Sequence, residues 1–542
     1  MKTINSILHL FVITFAVIFT TPMISQKQPK PNILFIAVDD LKPILGCYGN
    51  TIIKTPNIDR LAKMATVFNS NYCQQAVCGP TRASIMTGKR PDYTGVWDLK
   101  TRMRDVNPEI LSLPQHLITQ GYSTQGIGKV YDNRCVDKQM DAPSWSVPYY
   151  NYFKTEDRFY PKDLGAPLSG QYQSPQSKEL ADKFRKEGHE KGMTKKEIED
   201  YVSATVKPAV ECVNVPDNAY NDGANALRAI EILEQLKLEV QPFFFAVGFS
   251  KPHLPFVAPK KYWDLYNRED MPLEVFQEKP KNGVDVAFHN SGELRAYSDI
   301  PPLLSFTDQK DFGLTLPIEK QRELVHGYYA AISYMDAQVG KVLDKLESLG
   351  LTKNTIIVLW GDHGWHLGDH NLWCKHSNFE QATRTPLIIS SPGLASSITN
   401  APSEFIDIFP TICDLAGVTI PEVVDGKSLM PLMNKTLKSV KEFSISQYPR
   451  SSIKSETERQ GYASSKVMGY SLRDNRYRYT IWMGNDFRST QAFDDKLVVG
   501  TELYDYDKDP NETVNVADVK EYKLVVKDLK TKMLSFFASQ VK

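Results

Sequence analysis

The chain has 542 residues, 42% of them hydrophobic, and balances 64 Lys and Arg against 64 Asp and Glu. Zero net charge and a pI near 7.1 exclude a general nucleic-acid or polyanion binder, which would carry a strong basic excess. The length supports a large core without disulfides or metal, and 33 Pro with 30 Gly exclude collagen-like or disordered composition.

The first 25 residues read as a signal peptide: Lys2, then an apolar run from Ile7 to Phe19, then a cleavage region near Ser25. That run is too short to span a bilayer. No cysteine sits at the cleavage site and no later stretch reaches spanning length, so the sequence predicts an exported (periplasmic or secreted) chain with no membrane anchor. Asn32–Val38 (NILFIAV) then reads as a buried strand, ending in Asp39-Asp40. Phe243–Val247, Thr355–Trp360 and Thr385–Ser391 are further apolar runs of this kind, alternating with amphipathic helices at Ala224–Lys237 and Tyr329–Leu349. Strands alternating with helices predict an α/β fold, a mostly parallel sheet flanked by helices. Residues 133 to about 215 are poor in apolar runs, and Lys178–Ala204 reads as a solvated helical insertion. Near 432–440 the texture changes to short strands (Tyr470–Arg473, Tyr477–Met483, Glu502–Tyr506) and a final helix at Lys520–Phe537. The predicted organisation is a signal peptide (1–25), an α/β catalytic domain (30–436) and a smaller α+β C-terminal domain (437–542).

Seven cysteines form no CxxC pattern. In an exported chain, Cys135 and Cys212 are the pair predicted to form a disulfide. Two acid clusters follow strands, Asp39-Asp40 and Asp362-His363, at the sheet end where α/β proteins gather ligands. Adjacent carboxylates of this kind call for a cation between them, and their oxygen chemistry suits calcium better than zinc. In CGPTRASIMTG (78–88), Pro80 suits a helix first turn and Gly88 a helix end. Cys78 then sits at an anion-favouring helix N-terminus, with Arg82 one turn along on the same face. His116, His189, His289 and His326 lie in no motif and read as ordinary surface or core residues, and NET at 511–513 matches a glycosylation sequon.

The C-x-P-S/T-R pattern followed by TG resembles the signature of the type I, formylglycine-dependent sulfatases. VDDLKPILGCYGN (38–50), AVGFSKPHLPF (246–256) and DHGWHLGDHNLWCKHSNF (362–379) are similar to the iduronate-2-sulfatase-like branch of that family. The resemblance implies an alkaline-phosphatase-like fold and a formylglycine nucleophile made from Cys78 by a maturation enzyme. It also implies a calcium site of Asp39, Asp40, Asp362, His363 and the residue-78 side chain. Arg82 would hold the hydrated aldehyde, Lys129 and Lys375 would grip sulfate oxygens, and His253 would protonate or polarise the bridging oxygen of the leaving sugar. The implied substrate is a sulfated polysaccharide or its oligosaccharides, attacked from a chain end, with a 2-O-sulfated uronic acid or a comparable algal residue. Three positions depart from the branch: Asp132 stands where relatives carry histidine, Ser250 replaces the histidine of HKPH, and His366 replaces an alanine. Asp132 is a candidate carboxylate base, and Trp365, Trp373 and Arg384 are predicted to shape the sugar pocket. The rival readings are a phosphatase or phosphodiesterase of the same superfamily, a non-catalytic sulfated-sugar binder, and a thiol redox enzyme.

Overall fold

A computed structural model of the chain describes residues 30–150, 156–169, 171–301, 316–450, 467–484 and 493–540. The segment read as a signal peptide lies outside them. Alternation along β1 (Asn32–Val38) sets the architecture. Leu34, Ile36 and Val38 enter one hydrophobic core, and Ile33, Phe35 and Ala37 enter the other. A strand buried on both faces must lie inside a sheet covered by helices on both sides.

The sheet has seven strands: β1, β2 (Thr66–Phe68), β3 (Ser123–Gly128), β4 (Phe243–Phe249), β5 (Thr355–Gly361), β6 (Leu387–Ser390) and β7 (Ser397–Thr399). Their order is β7-β2-β6-β5-β1-β4-β3. Strands β5, β1, β4 and β3 run parallel, whereas β6 is antiparallel to both of its neighbours. The mostly parallel sheet is thus present, with one reversed strand that the apolar run at 385–391 did not signal.

Helix α1 (Cys78–Thr87) packs on the Phe35 face through Ile85 and Met86. It ends at Gly88, whose positive φ of 63° is the left-handed conformation that glycine adopts at helix ends. The charged insertion forms two helices, α2 (Pro175–Glu190) and α3 (Lys195–Thr205), around a small core of Ala181, Ile198, Val202 and Val206. The other face of the sheet is covered by α4 (Asn221–Leu236) and α5 (Ile318–Ser348), through Ile232, Leu233, Val339 and Val342. α5 starts eleven residues before the predicted Tyr329, because its first turns are too polar to show an apolar stripe.

The C-terminal region is a four-stranded antiparallel sheet in the order β8 (Ser444–Arg450), β9 (Val467–Arg473), β10 (Tyr477–Met483) and β11 (Val498–Asp505), packed against α6 (Lys523–Gln540). It joins the rest of the fold at the segment before α1, through Gln447 N–H donating to Gln74 O (2.7 Å) and Ser446 Oγ to Cys73 O (2.6 Å). Residues 31–542 form one compact unit. Among the described residues no helix is long and apolar enough to cross a membrane. The predicted Cys135–Cys212 bridge is absent: both cysteines are free. Cys135 is buried, with Sγ packed where a Cβ on Gly79 would stand, while Cys212 is exposed on the short strand Val210–Val213.

Candidate active site

The site is assembled by register. Val38 of β1 pairs with Gly361 of β5, so Asp39 and Asp362 leave the sheet side by side. Asp362 N–H donates to Val38 O at 3.1 Å and Asp40 N–H to Asp362 Oδ1 at 2.9 Å. On the other flank, β4 leads into Ser250–His253, and β3 leads into Lys129. Gly128 makes that last exit feasible: its φ is 75°, and a Cβ there would collide with Gly248 O. Four neighbouring parallel strands therefore send their carboxyl ends to one place, and α1 brings Cys78 there from the side.

Cys78 Sγ lies 3.4 Å from Asp39 Oδ1, 3.5 Å from His363 Nε2 and 3.8 Å from Lys129 Nζ, and the residue is 1% exposed. Arg82 is fully buried. Its Nε donates to Asp362 Oδ2 (2.9 Å), its Nη2 to Asp39 Oδ1 (3.0 Å), and its Nη1 to Val130 O (2.9 Å) and Lys129 O. Lys129 Nζ pairs with Asp39 Oδ2. Lys375 Nζ donates to both Asp40 oxygens (2.9 and 3.0 Å) and to Glu293 Oε1 (3.0 Å). His253 Nε2 lies 3.1 Å from Glu293 Oε1 and 3.7 Å from Asp40 Oδ2. All nine predicted metal and catalytic residues converge on this cluster.

Charge explains which protons sit where. Burial alone would raise Asp39, but Lys129 and Arg82 hold its carboxyl well below the ordinary range. Burial wins at Asp362 and raises it despite His363 and Arg82. The Cys78 thiol is pushed well above its ordinary value by burial and by Asp39, which Lys129 and Lys375 only partly offset.

The donor chemistry fits a hard cation. Nδ1 of His363 is 3.0 Å from Gly364 O, to which it donates, leaving the Nε2 lone pair 3.3 Å from Asp40 Oδ1 and 3.5 Å from Asp362 Oδ1. A lone pair facing two carboxylate oxygens is repulsive unless a cation lies among them. Asp40, Cys78, Asp362 and His363 offer ligand atoms within 4.8 Å of one another, as do Asp39, Asp40, Cys78 and His253.

Several sequence assignments need correction. Trp365 and Trp373 are 1% and 3% exposed and belong to the core. Trp365 stacks on Tyr328 and lies beneath Lys375 Nζ, 5.0 Å from its ring, so it supports the site from below and offers no sugar platform. His366 is also fully buried, with Nδ1 on Asp369 and Nε2 2.7 Å from Ser377 Oγ. Arg384 donates from Nε to Asn69 O and lines a different cleft of about 460 Å³ with Lys42, Asn50, Glu274 and Tyr329. Asp132 is no free base. Both of its oxygens are held by Arg134, and despite burial that pairing together with the Lys129 charge lowers its carboxyl to about 2. His289, read as ordinary, has its ring 5.7 Å from that of His376, which follows Lys375. His116 and His326 do behave as core residues, bonded to Thr419 O and Trp263 O.

Two contributors were assigned no role from the sequence. Glu293, in the short helix Gly292–Arg295, bridges His253 and Lys375. Burial would raise it, but Lys375 and His253 hold its carboxyl well below the ordinary range. Buried Lys251 donates to His253 O and Pro255 O (both 2.8 Å), fixing the loop that presents His253. Burial lowers this lysine to about 8.

Carboxylates at the ends of parallel strands, a nucleophile-bearing helix terminus and three cations, two of them buried, define a hydrolase of anionic esters. Comparison with known proteins gives the class. The sulfatase family model matches residues 31–418, and a model described as the C-terminal region of N-sulphoglucosamine sulphohydrolase matches residues 368–539. The chain belongs to the sulfatase family and is a sulfuric ester hydrolase. It is 32% identical to human iduronate 2-sulfatase over 538 residues, covering 90% of each chain. It is 31% identical to a sulfatase of Formosa agariphila over 523 residues, covering 94% of this chain and 87% of the other. Its fold matches the phosphonate monoester hydrolase of Agrobacterium radiobacter with a TM-score of 0.67 at 23% identity, covering 95% and 96% of the two chains.

Proposed function

We propose that Cys78 is converted to formylglycine by a maturation enzyme and that the mature protein removes sulfate esters from a sulfated oligosaccharide with the help of one calcium ion. Asp39, Asp40, Asp362, His363 and the residue-78 side chain would hold the ion, which supplies positive charge against the sulfate oxygens and the nucleophile. Formylglycine, an aldehyde that hydrates to a gem-diol, supplies an oxygen nucleophile able to release sulfate later by re-forming its carbonyl. The observation that carries this reading is the convergence of Cys78, Arg82, Lys129 and Lys375 on one carboxylate cluster.

Each residue has a task that its position allows. Arg82, buried and doubly ion-paired, fixes the geometry of Asp39 and Asp362 beside residue 78. Lys129 and Lys375 flank the cluster and bind the non-bridging sulfate oxygens, where charge accumulates. His253, a quarter exposed, faces outward from the cluster and gives a proton to the bridging oxygen as the sugar leaves. Asp132, committed to Arg134, takes no part as a base.

The proposed substrate is a 2-O-sulfated uronic acid or a related sugar, algal sugars included, supported by the identity to human iduronate 2-sulfatase. Action at a chain end is supported by depth: residue 78 is almost fully enclosed while His253 and Lys129 are partly open. Export is proposed from the apolar run at residues 7–19. The deciding assay measures free sulfate from a panel of defined sulfated oligosaccharides, alongside the matching phosphates, with mass spectrometry of the peptide spanning residue 78. Sulfate release by aldehyde-bearing protein is expected. Full activity with an unmodified thiol, or a preference for phosphate with two bound zinc ions, would overturn the reading. Release from internal positions of intact polymer would overturn the chain-end claim.

A further inference from the structure

The loop after β3 carries a feature that the chemistry above does not use. Asp132 is 2% exposed, yet the side chain that neutralises it, Arg134, is 48% exposed. A guanidinium has two edges that can each bind an oxyanion with a pair of parallel N–H bonds: the side edge, Nε with one Nη, and the end edge, both Nη atoms. Asp132 occupies the side edge, with Nε to Oδ1 at 2.9 Å and Nη2 to Oδ2 at 2.7 Å, and it also accepts from Arg134 N–H at 3.0 Å. The end edge stays open. Nη1 donates to no group among the described residues, and Nη2 spends only one of its two hydrogens. A solvated arginine usually samples many rotamers, but the guanidinium of this one is held by two parallel bonds to a buried carboxylate.

Its location gives the clamp a purpose. Lys129, three residues earlier, reaches to 3.8 Å from Cys78 Sγ. Cys135, the next residue, packs against Gly79 in the first turn of α1. Arg134 therefore stands on the loop that flanks the first turn of the nucleophile's helix, with a half-exposed oxyanion fork.

We propose that the end edge of Arg134 binds a second anionic group of the substrate, a carboxylate or a second sulfate, next to the sulfate ester being cleaved. The proposal rests on the sulfatase reading of the site and narrows its substrate to sugars bearing two negative charges close together. Asp132 is the positioning residue: it keeps the guanidinium flat and its outer edge free.

The test uses three ligands: a disaccharide carrying a 2-O-sulfated uronic acid, one carrying two sulfates, and a neutral one carrying a single sulfate. Each is titrated by calorimetry into Cys78→Ala protein, which cannot turn it over, with and without Arg134→Ala. We expect Arg134→Ala to weaken at least one doubly charged ligand by about 10- to 30-fold, as loss of a charge-assisted pair implies. The monosulfated ligand should weaken by several-fold less. A loss confined to the uronate ligand identifies a carboxylate partner, and a loss confined to the disulfate identifies a sulfate. Because Arg134→Ala leaves Asp132 buried without its partner, the double variant Asp132→Asn/Arg134→Ala is measured beside it and should show the same selectivity change. Arg134→Lys, which keeps charge but not the fork, should recover only part of the affinity. Equal weakening of all three ligands, no weakening of any, or failure of both doubly charged ligands to bind would overturn the proposal. Sulfate release from an aryl sulfate by the mature wild type is scored separately, so a failure of the sulfatase reading is distinguishable from a failure at Arg134.

Discussion

The floor of the site and its rim are built by different rules. On the floor, Asp39, Asp40, Asp362, His363 and Arg82 are fully enclosed; strand register dictates where the four strand-end residues emerge, and α1 adds Arg82. On the rim, His253, Glu293 and Arg134 come from loops or a four-residue helix and keep 25%, 19% and 48% of their side-chain surface. A floor set by the sheet cannot drift without breaking the core, whereas rim loops can change residue by residue. The contrast predicts that floor changes abolish chemistry or stability, and rim changes redistribute rate and selectivity.

The largest effect should come from Cys78→Ala. Loss of the nucleophile should lower turnover by ~10⁴-fold or more, in line with other enzymes that lose their attacking group. Thermal unfolding should hardly move, because the thiol makes only weak contacts. Retained turnover would break the comparison at its centre.

Next comes the charge network beneath it. Arg82→Ala leaves Asp39 and Asp362 facing each other without their shared guanidinium. Breaking a buried pair from one side costs about 3–5 kcal/mol, so urea unfolding should show a large loss of stability alongside lost activity. Chelation of the proposed cation should abolish turnover reversibly, with calcium and not zinc restoring it. A variant of normal stability would mean that the floor is less dependent on its ion pairs than its burial implies.

The same contrast governs what could be read before the structure was known. Floor residues follow apolar strands and belong to a spaced pattern, Cys78 to Gly88, so periodicity and motif placed them together. Glu293 follows no apolar run and sits in no pattern. Its role exists only because residues 289–293 fold back over Lys375, a contact 82 residues apart in sequence. Trp365 and Trp373 misled in the opposite direction, since an aromatic beside a motif reads as a wall of the pocket until burial is known. Cys135 and Cys212 misled for a similar reason. Both flank a polar insertion, but one points into α1 and the other into solvent. The fold class was legible because each strand carries its own burial pattern, and the reversed β6 was not, because a buried run has no direction.

On the rim, Glu293→Gln tests positioning. Gln preserves the shape but cannot offer a charged oxygen to both His253 Nε2 and Lys375 Nζ. A fall in kcat of ~10- to 100-fold is expected, the usual worth of general acid catalysis, with KM changing less and the melting temperature nearly constant. A change in KM alone would make Glu293 a substrate contact and leave His253 unanchored by it.

The smallest effect belongs to Asp132→Asn, and its sign depends on pH. Pairing with Arg134, together with the Lys129 charge, lowers the folded carboxyl to about 2, against an ordinary value of 3.8. A depressed acid contributes stability that is fully present above its unfolded value and is lost as pH falls through the folded one. The shift corresponds to at most ~2.5 kcal/mol at neutral pH, since one pKa unit is ~1.4 kcal/mol, and to less because the arginine is half in water. Urea unfolding of wild type and Asp132→Asn should therefore differ by no more than this at pH 7. The difference should shrink to about half by pH 3, where the wild-type carboxylate loses its advantage. A gap that stays constant from pH 7 to pH 3 would show that the aspartate acts by shape and not by charge. The clamp on Arg134 would then be steric, and the rim would owe its order to packing, as the floor does.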